Sequence, residues 1–130
     1  MFGRALMAAA LLAAGGCSFI SRAPAPATDL SGQYEGVLRL EGDDIDGRLT
    51  INQDGGRVNA MLSTEVGIAA EGRGTLEGTV LRIELDYGSE CEGTLKLAGQ
   101  AIQGGTRLAG TVEAEDCTGP ATGSFSFTQR

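Results

Sequence analysis

Carboxylates are the residues of this chain best placed to do chemistry. The densest stretch is EGDDIDG, Glu41 to Gly47, where Asp43, Asp44 and Asp46 fall within four positions. Two carboxylates facing one another can act as acid and base on a glycosidic bond, so this stretch is the one candidate for glycan chemistry. Asp44-x-Asp46-Gly47 has two of the acidic positions a calcium loop requires. It has neither the further alternate ligands nor the closing Glu. The stretch therefore reads as a solvated hairpin loop, and no metal is expected. The chain has no histidine, which removes Ser-His-Asp and Cys-His nucleophile systems. Gly72-Arg73-Gly74 is a lone G-x-G with no helix behind it, so it builds no phosphate cradle. No cofactor is expected and no enzyme activity is assigned.

Three cysteines remain. Cys91 lies between Glu90 and Glu92, and Cys117 follows Glu115-Asp116. Neighbouring carboxylates disfavour the thiolate, which is the reactive and metal-binding form. An even pair in an exported chain reads as a disulfide. Closing a loop of this size stabilises a fold by roughly 3–4 kcal/mol in the chain-entropy view.

Cys17 is the odd one. Before it stand a short positive segment, Met1 to Arg4, and a continuous apolar run, Ala5 to Ala14. At roughly ten residues that run is too short to cross a bilayer, which needs about 20. It fits the helical apolar region of an export signal. Ala14-Gly15-Gly16-Cys17 resembles the lipobox of bacterial lipoproteins, with Ala14 where that family usually has Leu. The resemblance implies cleavage before Cys17 and acylation of its thiol and new amino group. Ser18 in the following position implies the outer membrane of a diderm cell. The alternative is an ordinary signal cut at a nearby Ala. Two acyl chains suffice for stable anchoring, at about 0.8 kcal/mol per buried CH₂. Ala23-Pro24-Ala25-Pro26-Ala27 then alternates Ala with Pro, which makes an extended spacer. A Pro-rich recognition peptide is the other reading of it. The expected division is residues 1–16 signal, 17–30 lipidated cysteine and linker, and 31–130 one domain.

Positioning such residues falls to strands. RLTIN sends Leu49 and Ile51 one way; VLRIELDY does the same with Leu81, Ile83, Leu85 and Tyr87. RVNAMLST, GTLKLAG, RLAGTVEA and GSFSFTQR repeat the two-residue period, which marks half-buried strands. Asp54-Gly55-Gly56 reads as a tight hairpin. GTLEG, GTLKL and GTVEA recur at Gly74, Gly93 and Gly110, and read as successive strands that each open on Gly-Thr. About eight short strands result, in an all-β fold. An antiparallel up-and-down barrel is favoured over a β-sandwich, because closure removes exposed edges. Internal glycines, 21 in the chain, let strands bend at barrel corners.

Gly32-Gln33-Tyr34 is similar to the Gly-x-Trp that opens the first strand of lipocalin-like barrels, with Tyr for Trp. That likeness implies a calyx for a small apolar ligand, with Tyr34, Leu85, Tyr87 and Phe125 as lining residues. Small barrels are also commonly filled by their own side chains, in which case Tyr34 plugs one end.

Charge limits the partners. The formal net charge is -7, and acidic and basic residues are interleaved. Phosphate neutralisation supplies most nucleic-acid affinity, so no nucleic acid is expected. Electrostatic attachment to anionic lipid is excluded on the same ground, leaving Cys17 as the route to the membrane. The sequence thus points to an outer-membrane-anchored lipoprotein facing the periplasm. Its domain binds an envelope protein or has a structural role there. Alternatives are a carrier of a small apolar ligand, a protease inhibitor, or a carboxylate-based enzyme acting on glycans.

Overall fold

The structure is a computed structural model that describes residues 29–88 and 91–130. The expected signal helix, Cys17 and the Ala/Pro linker up to Thr28 lie outside the described residues. Eight strands follow in order: β1 Gly32–Leu40, β2 Asp43–Asp54, β3 Arg57–Thr64, β4 Ala69–Glu77, β5 Val80–Tyr87, β6 Gly93–Ile102, β7 Arg107–Asp116 and β8 Gly119–Gln129. Each pairs antiparallel with the next, and β1 pairs with β8. The domain is therefore a closed up-and-down barrel, and the sandwich is ruled out.

Two-residue alternation decides which side chains enter the barrel. On β5, Leu81, Ile83 and Leu85 are buried while Arg82, Glu84 and Asp86 face solvent. The same rule on the other strands gathers one aliphatic core with Tyr34, Phe125 and Phe127 as its large members. No polar or charged residue is buried among the described residues.

The strands are staggered as well as paired. Paired positions lead once around the barrel from Gln129 through Tyr34, Leu49, Leu62, Ala70 and Tyr87 to Gly119. The circuit returns to β8 ten residues from its start, Gln129 to Gly119. Such stagger tilts the strands by about 35–45° and sets an interior that side chains can just fill.

Closing so small a sheet forces backbones together. A methyl group on Gly74 would be driven into the Arg82 carbonyl oxygen, and one on Gly123 into that of Arg39. Gly36, Gly72, Gly99 and Gly110 meet neighbouring backbone in the same way. All six point inward, where sharp curvature leaves no space for a Cβ.

Two expectations need correction. Asp43, Asp44 and Asp46 are not in a loop: the turn is Glu41-Gly42, and the acidic stretch is the opening of β2. Isoleucine at 45 restores the two-residue period there, pointing inward between exposed aspartates. The Gly-Thr pairs do not each open a strand. Gly74 is near the end of β4, Gly93 begins β6 and Gly110 lies inside β7. What they share is an inward glycine followed by an outward threonine, which is the period of the sheet and not a repeat.

The corner glycines carry a clear stability prediction. Gly74→Ala should destabilise the barrel by about 3 kcal/mol or more through overpacking. Gly88→Ala should change stability by less than about 0.5 kcal/mol, since only the Glu92 Cγ stands near, at 3.6 Å. Chemical denaturation of the two variants checks this ranking.

Candidate functional site

The two ends of the barrel are built differently. At one end the chain enters through Leu30, which is completely buried. Its N–H donates to Gln53 Oε1 at 2.7 Å, and the Gln53 N–H donates to Ser31 Oγ at 2.9 Å. The Tyr34 hydroxyl lies 2.9 Å from the Leu30 carbonyl oxygen and 3.0 Å from that of Gly105, sharing its proton between them. Gly105 belongs to a 3₁₀ turn, Gln103–Gly105, between β6 and β7. This end is closed. Burial and the Asp29 charge raise the Tyr34 phenol above its ordinary pKa.

At the opposite end four hairpin turns form a rim. Leu40, Ile45, Tyr87 and Ala121 are half-buried there and pack against the top of the core. Together they make a shallow apolar floor. Below it Leu85 and Leu95 are at most 2% exposed, as are Leu81 and Leu108 near the closed end. Those side chains touch no water-sized void.

Tyr87 organises one side of this mouth. Gly93 stands opposite it, and a methyl there would strike both the Tyr87 ring and the Asp116 Cβ. The ring therefore lies flat across β6, covering the glycine. Its hydroxyl donates to Asp116 Oδ2 at 2.7 Å. Asp116 Oδ1 also accepts from the N–H and hydroxyl of Thr118. Those three donors hold the Asp116 carboxyl below its ordinary pKa, the Thr118 hydroxyl most strongly. Desolvation, then the bond to Asp116, pushes the Tyr87 phenol up to about 12.

A Cys91–Cys117 disulfide ties the β5–β6 loop to the β7–β8 turn beside this pair, with Cα atoms 5.6 Å apart. The Cys117 N–H donates to Cys91 Sγ at 3.1 Å. Cys91, Asp116 and Cys117 bring ligand atoms within 4.8 Å of one another. Bonded to each other, however, the sulfurs are not thiolates, the form in which cysteine binds metal.

The residues singled out from the sequence scatter across this architecture. Tyr87 stands at the mouth. Leu85 and Phe125 are buried inside the core, and Tyr34 lies at the closed end. Asp44 pairs with Arg39 at 2.7 Å on the outer wall, which lowers its pKa and raises that of Arg39. Asp43, Asp44 and Asp46 are all exposed on one strand, and no cleft sets them face to face. Leu40, Ile45 and Ala121 escaped notice. Each stands within three residues of a rim turn, and inward parity close to a turn is the signal that would have found them.

The outer wall is also shaped. A groove of about 1740 Å³ winds around the waist and climbs to the rim beside Tyr87 and Cys117. Asn52, Asn59, Arg73, Glu84, Lys96 and Glu113 pair in sequence along it. Its concavity is the hyperboloid waist of a twisted, closed sheet.

No known protein family matches the sequence, and no curated protein matches it. A solved structure described as EF1p2_mFAP2b bound to DFHBI shares the fold, with a TM-score of 0.55 at 15% identity. The match covers 78% of this chain and 93% of that one. At this identity the likeness establishes the barrel fold and nothing finer.

Two measurements check the two ends of the barrel. Tyr34 and Tyr87 are the chain's two tyrosines. Followed by phenolate absorbance, both should resist ionisation at their ordinary pKa, Tyr87 until about pH 12. Both pKa values are raised on folding, so this contribution to stability is complete below pH 10 and fades as pH climbs through the folded values. Asp116 has the opposite sign: its contribution is present above the usual carboxylate range and is lost as pH falls through its lowered pKa. Removing the disulfide in a C91S/C117S variant should cost about 3.5 kcal/mol of stability in the chain-entropy view, read from denaturant midpoints.

Proposed function

We propose that this chain is a lipid-anchored protein of the bacterial outer membrane, facing the periplasm, whose barrel binds a partner or ligand without transforming it. The observation that carries the binding reading is the contrast between a filled interior and a half-buried apolar mouth. No thiol, amine or carboxylate is fully buried among the described residues, and the half-buried Asp116 at the mouth is already held by Tyr87 and Thr118. The floor of Leu40, Ile45, Tyr87 and Ala121 is the apolar surface left for a binding partner at the mouth. Support for the anchor comes from Ala14-Gly15-Gly16-Cys17 and from the pairing of the other two cysteines with each other.

A second reading makes the barrel a carrier of a small apolar ligand. The half-buried mouth favours it, and the structural neighbour is described as bound to DFHBI. Because the core beneath is filled, such a ligand sits on the floor of the mouth and not in a deep calyx. The glycan-enzyme reading has no facing pair of carboxylates in Asp43, Asp44 and Asp46, all on one strand.

Methyl-resolved NMR of the protein titrated with envelope extract tests the site. Shifts should centre on Leu40, Ile45 and Ala121, and leave Leu81 and Leu108 unmoved. Shifts centred on Leu81 and Leu108 would show instead that the core opens, and no shift at the mouth would remove the binding reading. Labelled palmitate tests the anchor: it should enter the wild-type protein and be absent from Cys17→Ser.

A further inference from the structure

We infer that the barrel is tethered by its closed end, so that its mouth faces away from the membrane and takes its occupant from the aqueous side. This rests on the anchoring proposed above. Two independent features of the molecule carry it.

The first is where the chain enters. Leu30 is locked into the closed end by burial and by its bonds to Gln53 and Tyr34. Whatever precedes Asp29 must therefore leave from that end. Arg130 finishes there too, its N–H donating to the Gln33 carbonyl. The rim turns 41–42, 65–68 and 117–118 are at the other end of the strands. Ten-residue strands rising ~3.3 Å per residue, tilted by about 40°, separate the two ends by about 25 Å. The eleven residues from Ser18 to Thr28 span about 30 Å when extended. Bringing the rim to the bilayer would require that linker to fold back along the whole barrel wall. Pro24 and Pro26 stiffen it against doing so.

The second is charge. The rim region carries Glu41, Asp43, Asp46, Glu65, Glu92 and Glu115. Among the described residues its base is Arg39, already paired with Asp44. At the closed end Arg57, Arg82, Arg107 and Arg130 stand with Asp29, Glu35, Asp54 and Glu77, four against four, with Arg130 3.2 Å from Glu35. An anionic leaflet therefore repels the rim, over a Debye length of about 8 Å at physiological salt, and is indifferent to the closed end. Tether and field act in the same direction.

The consequence concerns the occupant. A lipid still in the bilayer has no direct route to Leu40, Ile45, Tyr87 and Ala121. The mouth is presented to molecules carried in water, and the acidic rim turns anionic surfaces away.

Energy transfer to a labelled bilayer tests the orientation. The full-length lipidated protein carries a donor dye through an azide-bearing amino acid at Thr79 in the β4–β5 turn, or at Val66 in the β3–β4 loop. Both positions are exposed. It is placed in vesicles of phosphatidylethanolamine and phosphatidylglycerol that contain an acceptor-labelled lipid. Transfer from Thr79 should exceed transfer from Val66 severalfold. Equal transfer, or a stronger signal from Val66, overturns the orientation while the anchor stands. Failure of the wild-type protein to incorporate palmitate overturns the anchor, and the orientation with it.

Discussion

Closure of β1 onto β8 is the constraint from which the rest of the molecule follows. A sheet of eight strands returning on itself with a ten-residue stagger must bend sharply, and at the bends neighbouring backbones come too close for a Cβ. Gly36, Gly72, Gly74, Gly99, Gly110 and Gly123 occupy those places, each facing inward against the backbone of the next strand. Glycine weakens a strand, because it loses more backbone entropy on folding and packs no side chain. Here the loss is offset by burial of the surrounding leucines, isoleucines and two phenylalanines in a core without tryptophan. The amino-acid composition and the topology explain each other. A chain this rich in glycine and poor in aromatics suits a tightly wound barrel better than a flat sandwich.

The same closure makes two unlike ends. Where the chain enters, backbone groups that the sheet cannot pair are gathered by Tyr34, Gln53 and Ser31, and Leu30 fills the opening. Where the four rim hairpins turn, no segment of the described chain crosses the opening. The apolar side chains there stop at half burial, and the surrounding surface is acidic. A filled core and an exposed floor are thus produced by one feature, the position of the segment that precedes β1.

Much of the fold was legible in the sequence because a two-residue period survives any context. VLRIELDY could be placed residue by residue, and the barrel followed from eight such runs. The acidic stretch misled because charge density outweighed parity. Asp43, Asp44 and Asp46 looked like a loop, yet Ile45 kept the alternation of β2. The Gly-Thr recurrences misled because an inward glycine beside an outward threonine imitates a repeat wherever corners fall. The candidate site was harder to read. Tyr34 was legible both as a plug of one end, where it stands, and through the lipocalin likeness as a ligand contact together with Phe125; the depth of each in the barrel depends on the stagger. No local pattern encodes the stagger, since it is a sum over eight pairings. Leu40 and Ala121 were passed over for the same reason. An ordinary inward residue becomes a mouth residue only through its distance from a turn.

The placement of the disulfide follows from the difference between the ends. The closed end is fixed by burial and by a buried hydroxyl with two carbonyl partners, so a covalent bond there would constrain little that is not already constrained. Among the described residues none plugs the rim, and five residues, 88–92, separate β5 from β6. Cys91 and Cys117 join that loop to the neighbouring turn, next to the Tyr87–Asp116 bond. The bond does what Leu30 and Tyr34 do at the other end, without occupying the opening. A rim held by its own covalent link, with an aromatic ring laid over Gly93 and its hydroxyl secured, presents the floor in one geometry before anything binds. Preorganisation of this kind reduces the ordering cost of association. It is the physical reason to regard the mouth, rather than the broader groove of the outer wall, as the surface this barrel is built to display.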